Sequence, residues 1–97
     1  MLTSKERAYL KKLANRLPAI FQVGKGGISP ELTGSIDGAL EARELIKINV
    51  LDNCSMDVRE IAETISERTK SEVVQIIGNR IIFYRKSKKK QIIEFDI

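Results

Sequence analysis

The sequence predicts a two-layer α/β (α+β) fold in the order α-β-α-β-α-β-β, with a four-stranded mixed sheet. Three segments repeat apolar residues every three or four positions, as amphipathic helices do, and four shorter segments are β-rich or alternate in polarity, as strands do. A length of 97 residues leaves room for one domain. Because strands joined through helices prefer parallel, right-handed crossovers, the last two strands, joined by a tight turn, should form the antiparallel pair.

The first helix is predicted to start at Thr3, which has the form of a capping box with Glu6. Its apolar stripe is Leu10, Leu13, Ala14 and Leu17. Pro18 should stop this helix, since proline lacks the N–H that a helix interior needs. Residues 19–23 are short and apolar, which favours a buried strand.

The second helix is predicted at Ser29, a cap residue that is followed by proline and glutamate. Residues 44–51 alternate in polarity and are expected to form a strand. Asp57 can open a third helix that ends near Ser71.

Residues 73–77 and 80–85 are β-rich runs separated by Gly78-Asn79, a pair that suits a two-residue hairpin turn. The domain core is expected to span about 2–86 of the single domain 1–97. In the remaining tail, 87–97, apolar residues alternate with acids after a run of lysines. The tail is interpreted either as a short edge strand or as a segment that docks on a partner.

The sequence has no histidine and one cysteine. Histidine is the commonest general base and a principal zinc ligand, so we expect no catalytic residue, no metal and no cofactor. Cys54 has no histidine to activate it and is interpreted as a packing residue. A single cysteine indicates a reducing, cytoplasmic environment. No apolar run approaches the roughly 20 residues that a bilayer requires.

Positive charge is concentrated near the two ends of the chain. Residues 1–28 and 80–90 each hold six of the seventeen lysines and arginines, whereas residues 29–79 hold five against ten acids. Two basic segments indicate a polyanionic partner. The alternative is that these lysines form a solvated surface that only keeps the protein soluble.

One face of the first helix carries Lys5, Tyr9, Lys12 and Arg16 at helical spacing. Such a stripe could follow a phosphate backbone and offer Tyr9 for stacking on a base. Alternatively, the Tyr9 ring packs against the edge of the core.

The segment Gly24-Lys25-Gly26-Gly27 lies between a predicted strand and a predicted helix. Glycines let a phosphate approach the backbone, and the helix end and Lys25 add positive charge. The alternative is an ordinary turn in which the glycines only relieve strain. A nucleotide-binding P-loop is excluded because Lys25 precedes glycine, and a dinucleotide fingerprint would need glycine where Ser29 stands. What remains is the G-x-x-G form that KH domains use to clamp single-stranded nucleic acid.

Three segments together resemble the CRM (chloroplast RNA splicing and ribosome maturation) domain. They are residues 21–28 (Phe-Gln-Val-Gly-Lys-Gly-Gly-Ile), 44–48 (Glu-Leu-Ile-Lys-Ile) and 75–85 (Gln-Ile-Ile-Gly-Asn-Arg-Ile-Ile-Phe-Tyr-Arg). With the first helix, the resemblance covers roughly residues 2 to 86. The stand-alone bacterial YhbY family consists of little else than this domain.

The resemblance implies a fold like the C-terminal domain of bacterial translation initiation factor three. It also implies RNA binding, since the bacterial members associate with precursors of the large ribosomal subunit. Carried over by position, the resemblance marks Gly24, Lys25, Gly26 and Gly27 as the RNA-facing loop, and less directly Lys47 and Arg80.

We therefore expect a monomeric, cytoplasmic protein that binds ribosomal RNA during assembly of the large subunit and is not an enzyme. The alternative is a ribosome-associated factor that docks on proteins through its acidic middle and uses its basic ends only for steering.

Overall fold

The computed structural model of the protein describes residues 2–96, which form three helices and four strands. The helices are α1 (Ser4–Ala14), α2 (Pro30–Arg43) and α3 (Val58–Thr69), and the strands are β1 (Ala19–Val23), β2 (Leu45–Val50), β3 (Glu72–Ile77) and β4 (Arg80–Tyr84). The predicted order of elements is confirmed.

The four strands form one mixed sheet in the order β1-β2-β4-β3. β1 pairs with β2 in parallel, and β4 is antiparallel to both β2 and β3. β4 therefore inserts between β2 and β3 and forms the predicted hairpin through Gly78, whose φ is +57°. The carboxyl ends of β1 and β2 and the hairpin turn meet at one end of the sheet, since the N–H of Val50 donates to the carbonyl of Asn79.

Helices cover both faces of the sheet, so three layers replace the two that the sequence predicted. α2 and α3 pack on the face that carries Ile46, Ile48 and Phe83. α1 packs on the other face, against apolar residues of β2, β3 and β4. The alternation in β2 and β4 explains this arrangement, because Leu45 and Ile82 also need burial on the second face.

α1 begins at the predicted capping box and ends earlier than predicted. The N–H of Glu6 donates to Thr3 Oγ1 over 3.1 Å, and the Thr3 N–H donates to Glu6 Oε1 over 2.9 Å. The helix ends at Ala14, after which the chain turns to bring Ala19 into β1. Leu10 and Ala14 are buried, but Leu13 is 38% exposed, so the predicted apolar stripe is only partly used.

The tail has no helix or strand within residues 86–96, but two glutamates of the α2 end hold it in place. The Glu44 carboxylate, fully buried, accepts the N–H groups of Ser87, Ile92 and Ile93 at 2.6, 3.1 and 2.6 Å. The neighbouring Glu41 accepts the Ser87 hydroxyl and the N–H groups of the next two residues. Beyond this anchor, Ile93 and Phe95 pack on the α1 face of the sheet.

The stability conferred by Glu41 should be lost in acid. The hydroxyl of Ser87, followed by the N–H of Lys88, lowers the pKa of Glu41 from 4.5 to about 2, against the opposing effect of burial. Because the folded chain prefers the ionised form, this contribution is complete above pH 4.5 and disappears as the pH falls to about 2.

Urea unfolding across this pH window should show a steeper loss of stability in the wild type than in Glu41→Gln. Glu63→Gln, on the exposed side of α3, is the control and should keep the wild-type dependence. Parallel curves for the wild type and Glu41→Gln would contradict the assignment.

Candidate nucleic-acid interface

A tight turn follows β1 at the end of the sheet where the hairpin turn also lies. The N–H of Gly27 donates to the carbonyl of Gly24 over 2.9 Å. Gly27 has a φ of +68°, in the left-handed region that favours glycine. Lys25 and Gly26, in the middle of the turn, are exposed. The Gly24–Gly27 loop thus presents a lysine and open backbone to solvent.

The glycines of this loop meet different surroundings. A Cβ at Gly24 would lie 3.2 Å from Leu51 Cδ1 and 3.3 Å from Asn53 Oδ1, so glycine lets the loop pack closely on the segment after β2. A Cβ at Gly26 would have no atom within 4 Å. Relief of strain and close packing account for Gly24 and Gly27, but they give no reason for glycine at Gly26, where the backbone is open to a ligand.

The start of α2 is partly capped by its own chain. Ser29 Oγ accepts the N–H of Leu32 over 3.1 Å, Pro30 has no N–H, and Glu31 adds a negative charge in the first turn. Fewer donors are therefore open to an anion than the sequence led us to expect. Positive charge at this end of the molecule depends on Lys25 more than on the helix dipole.

Only part of the predicted basic stripe lies on α1, because the helix ends before Arg16. Lys5 and Lys12 are exposed on the helix, whereas Arg16 lies in the turn after it, also exposed. The Tyr9 ring is half-buried and lies 5.7 Å from the ring of Phe95, with the planes tilted by 57°. Of the two interpretations of Tyr9, packing against the core edge describes its position, and less of the ring is open for stacking.

Two of the terminal cations are used inside the fold. Arg7 Nη1 donates to the carbonyls of Val73 and Val74 at 2.7 and 3.0 Å, which ties α1 to β3. Arg85 Nη1 donates to Asp37 and to the carbonyl of Thr69. The sequence could not separate these arginines from the surface cations, because their partners lie far away along the chain.

Lys47 and Arg80 lie on the face of the sheet that α1 partly covers. Lys47 is half-buried in β2, and Arg80 is exposed at the start of β4, opposite Asn49. Asn49 in turn pairs with Gln22 of β1, so polar side chains form a row that crosses the sheet close to the Gly24–Gly27 loop. Gln22 and Asn49 were not predicted as site residues, because the row depends on the register between strands.

A groove of about 820 Å³ lies between α1 and β3. Lys5, Tyr9 and Lys12 line it, as predicted site residues, together with Lys11 and Gln75, which were not predicted. At the end of β3, Ile77 also lines the groove and is 48% exposed. The structure thus gathers lysines, amides and a little apolar surface on the α1 side of the sheet.

The described residues contain one free cysteine and several separated carboxylates. Within 2–96, no group of three or more cysteine, aspartate and glutamate residues is placed to hold a metal ion. Cys54 is free, half-buried and packed against the core, as its interpretation as a packing residue requires. No helix in the described part of the chain is long and apolar enough to cross a membrane.

Comparison with known proteins gives consistent matches along nearly the whole chain. The family model described as the CRS1 / YhbY (CRM) domain matches residues 2–85. "Probable RNA-binding protein YqeI" of Bacillus subtilis is 47% identical over 94 residues, covering 97% of this chain and 98% of the relative. An "RNA-binding protein" of Haemophilus influenzae is 32% identical over 91 residues, covering 94% and 92%. The solution structure of SAV1595 from Staphylococcus aureus superimposes with a TM-score of 0.80 at 52% identity, covering 98% of this chain and 99% of that one.

Proposed function

Because this chain belongs to the CRS1/YhbY (CRM) domain family, we propose that it binds RNA and that the Gly24–Gly27 loop grips the phosphate backbone. The observation that carries this proposal is the open space at Gly26 beside the exposed Lys25. A phosphate can reach the backbone there without meeting a side chain.

The surface around the loop supplies the remaining contacts. We assign to it the cations Lys5, Lys12, Arg16, Lys47 and Arg80, with Tyr9 at its edge. Since the Tyr9 ring packs on Phe95 and aromatics make up only 5% of the chain, phosphate contacts should outweigh base stacking.

The resemblance to the bacterial YhbY family favours ribosomal RNA, in precursors of the large subunit, as the target. The protein acts there by binding, without catalysing a reaction, in the cytoplasm. The names of the Bacillus subtilis and Haemophilus influenzae relatives support RNA as the partner.

Affinity for a protein-free fragment of ribosomal RNA should fall steeply with salt. If Lys25 and the five surrounding cations each neutralise one phosphate of a single strand, log K against log salt should have a slope of about −4. Filter binding or fluorescence anisotropy at several salt concentrations measures this slope.

Gly26→Asp tests whether the loop is the grip. The carboxylate would face the phosphate, and like-charge repulsion should lower the affinity for that RNA about 100-fold. Because Gly26 has free space and no positive φ, the fold should persist, and Gly26→Ala, which places an uncharged Cβ in that space, should lower the affinity by less than Gly26→Asp does. Unchanged affinity of folded Gly26→Asp would remove the loop from the interface. A wild type that binds ribosomal proteins but no protein-free RNA would favour the protein-interaction factor instead.

A further inference from the structure

A run of exposed lysines lies in the tail, outside residues 2–85 that the family model matches. We call Lys86, Lys88, Lys89 and Lys90 the lysine turn, and all four are exposed. Neither the family match nor the proposed function assigns a role to them.

The backbone of the lysine turn is fixed to the end of α2. The Glu41 carboxylate accepts the N–H of Lys88 at 3.1 Å and that of Lys89 at 3.3 Å. The Glu44 carboxylate accepts the N–H of Ser87 at 2.6 Å. A fixed backbone loses less conformational entropy when its side chains bind a ligand, so the lysines are preorganised in position.

In the described part of the chain, none of the four ammonium groups of the lysine turn forms a close ion pair. Within residues 2–96, the two side-chain ion pairs of 4.0 Å or less are both made by Arg85, with Asp37 and Glu41. The oxygens of Glu41 are occupied by backbone N–H groups, the Ser87 hydroxyl and Arg85 rather than by the lysine ammonium groups. Four exposed ammonium groups on one turn attract a polyanion.

The lysine turn and the Gly24–Gly27 loop lie at opposite ends of α2. A helix of 14 residues is about 21 Å long, which about six stacked nucleotides span at about 3.4 Å each. Along the helix between these ends, a Cβ added at Gly34 or Gly38 would meet no atom within 4 Å. Asp37, beside Gly38, has its charge paired with Arg85.

We propose that the lysine turn is a second phosphate-binding surface for the same RNA, which lies along α2 from the Gly24–Gly27 loop to the tail. This inference rests on the proposed function. RNA fits better than an anionic membrane, because a membrane-binding surface needs a broad apolar face, whereas Ile92, 47% exposed, is the one large exposed apolar residue beyond β4 in the described chain.

The test uses a triple variant, Lys88→Gln with Lys89→Gln and Lys90→Gln. Its backbone N–H groups remain, so the unfolding free energy should stay within about 0.5 kcal/mol of the wild type. A control with the same change in net charge is Arg59→Gln with Arg68→Gln and Lys70→Gln, all exposed in the acidic middle of the chain. Binding is measured against salt for two single-stranded RNAs of the same composition, about four and about twelve nucleotides long, shorter and longer than the span of α2.

With the longer RNA, the triple lysine variant should bind at least about tenfold more weakly, and its salt slope should shrink by about 2, more than in the control. With the shorter RNA, which reaches only one end of α2, the lysine variant should bind like the control. The longer RNA should also protect the lysine turn, more than Lys70, from acetylation in the wild type.

Several results would overturn the inference. One is a lysine variant that matches the control on the longer RNA while Gly26→Asp still weakens binding, which leaves the proposed function intact. Another is a lysine variant that keeps its RNA affinity but loses adsorption to vesicles containing phosphatidylserine. If the wild type binds neither RNA, the proposed function itself fails, and the second surface with it.

Discussion

Glu44→Ala should lower the free energy of unfolding by about 3 kcal/mol, because three backbone N–H groups lose a charged acceptor. The Glu44 side chain is fully buried and has N–H donors, rather than a cation, around its carboxylate. The donors come from Ser87, Ile92 and Ile93, so this one carboxylate holds two separate points of the tail. Urea denaturation monitored by circular dichroism measures the change.

Two further variants at the same position separate the carboxylate from the backbone. Glu44 has a φ of 66°, which strains any residue except glycine, so Glu44→Gly should be about 1 kcal/mol more stable than Glu44→Ala. Glu44→Gln should lie between Glu44→Gly and the wild type, since it retains one acceptor oxygen where the carboxylate uses two. Glu63→Ala, on the surface of α3, is the control and should change stability by less than about 0.5 kcal/mol. A Glu44→Ala protein as stable as the wild type would show that the tail is not anchored here.

Removing the apolar side chains of the tail should also cost about 3 kcal/mol, in the double variant Ile93→Ala with Phe95→Ala. Phe95 lies between two tyrosines, with ring centroids 5.7 Å from Tyr9 and 5.9 Å from Tyr84. Ile93 packs on the same cluster, on the α1 face of the sheet. Thermal and urea unfolding of the double variant measure this contribution.

Ile92 provides the matched control for this prediction. It is adjacent to Ile93 and equally apolar, but it is 47% exposed, so Ile92→Ala should have an effect below about 0.5 kcal/mol. If the double variant lost no more stability than Ile92→Ala does, the packing of Ile93 and Phe95 would not contribute to the core. The predicted outcome would place the boundary of the folded domain beyond the segment that the family model matches.

The candidate site was partly predictable from the sequence. The Gly24–Gly27 loop could be found because its glycines and lysine are consecutive and stand between a strand and a cap residue. The row formed by Gln22, Asn49 and Arg80 could not, because it joins three strands through a register that no local pattern encodes. For the same reason the sequence could not show that Arg7 and Arg85 bind carbonyls and carboxylates within the fold.

The sequence alone determined the element order, the starts of the helices and the hairpin, because each depends on residues within about four positions of one another. The capping pair of Thr3 with Glu6 and the cap at Ser29 are of this kind. Only the tertiary structure decided which face of the sheet α1 covers and what holds the tail. Glu44 and Ile93 are 49 residues apart in the chain, and a hydrogen bond between them forms only after the sheet has brought the end of α2 beside the end of β4.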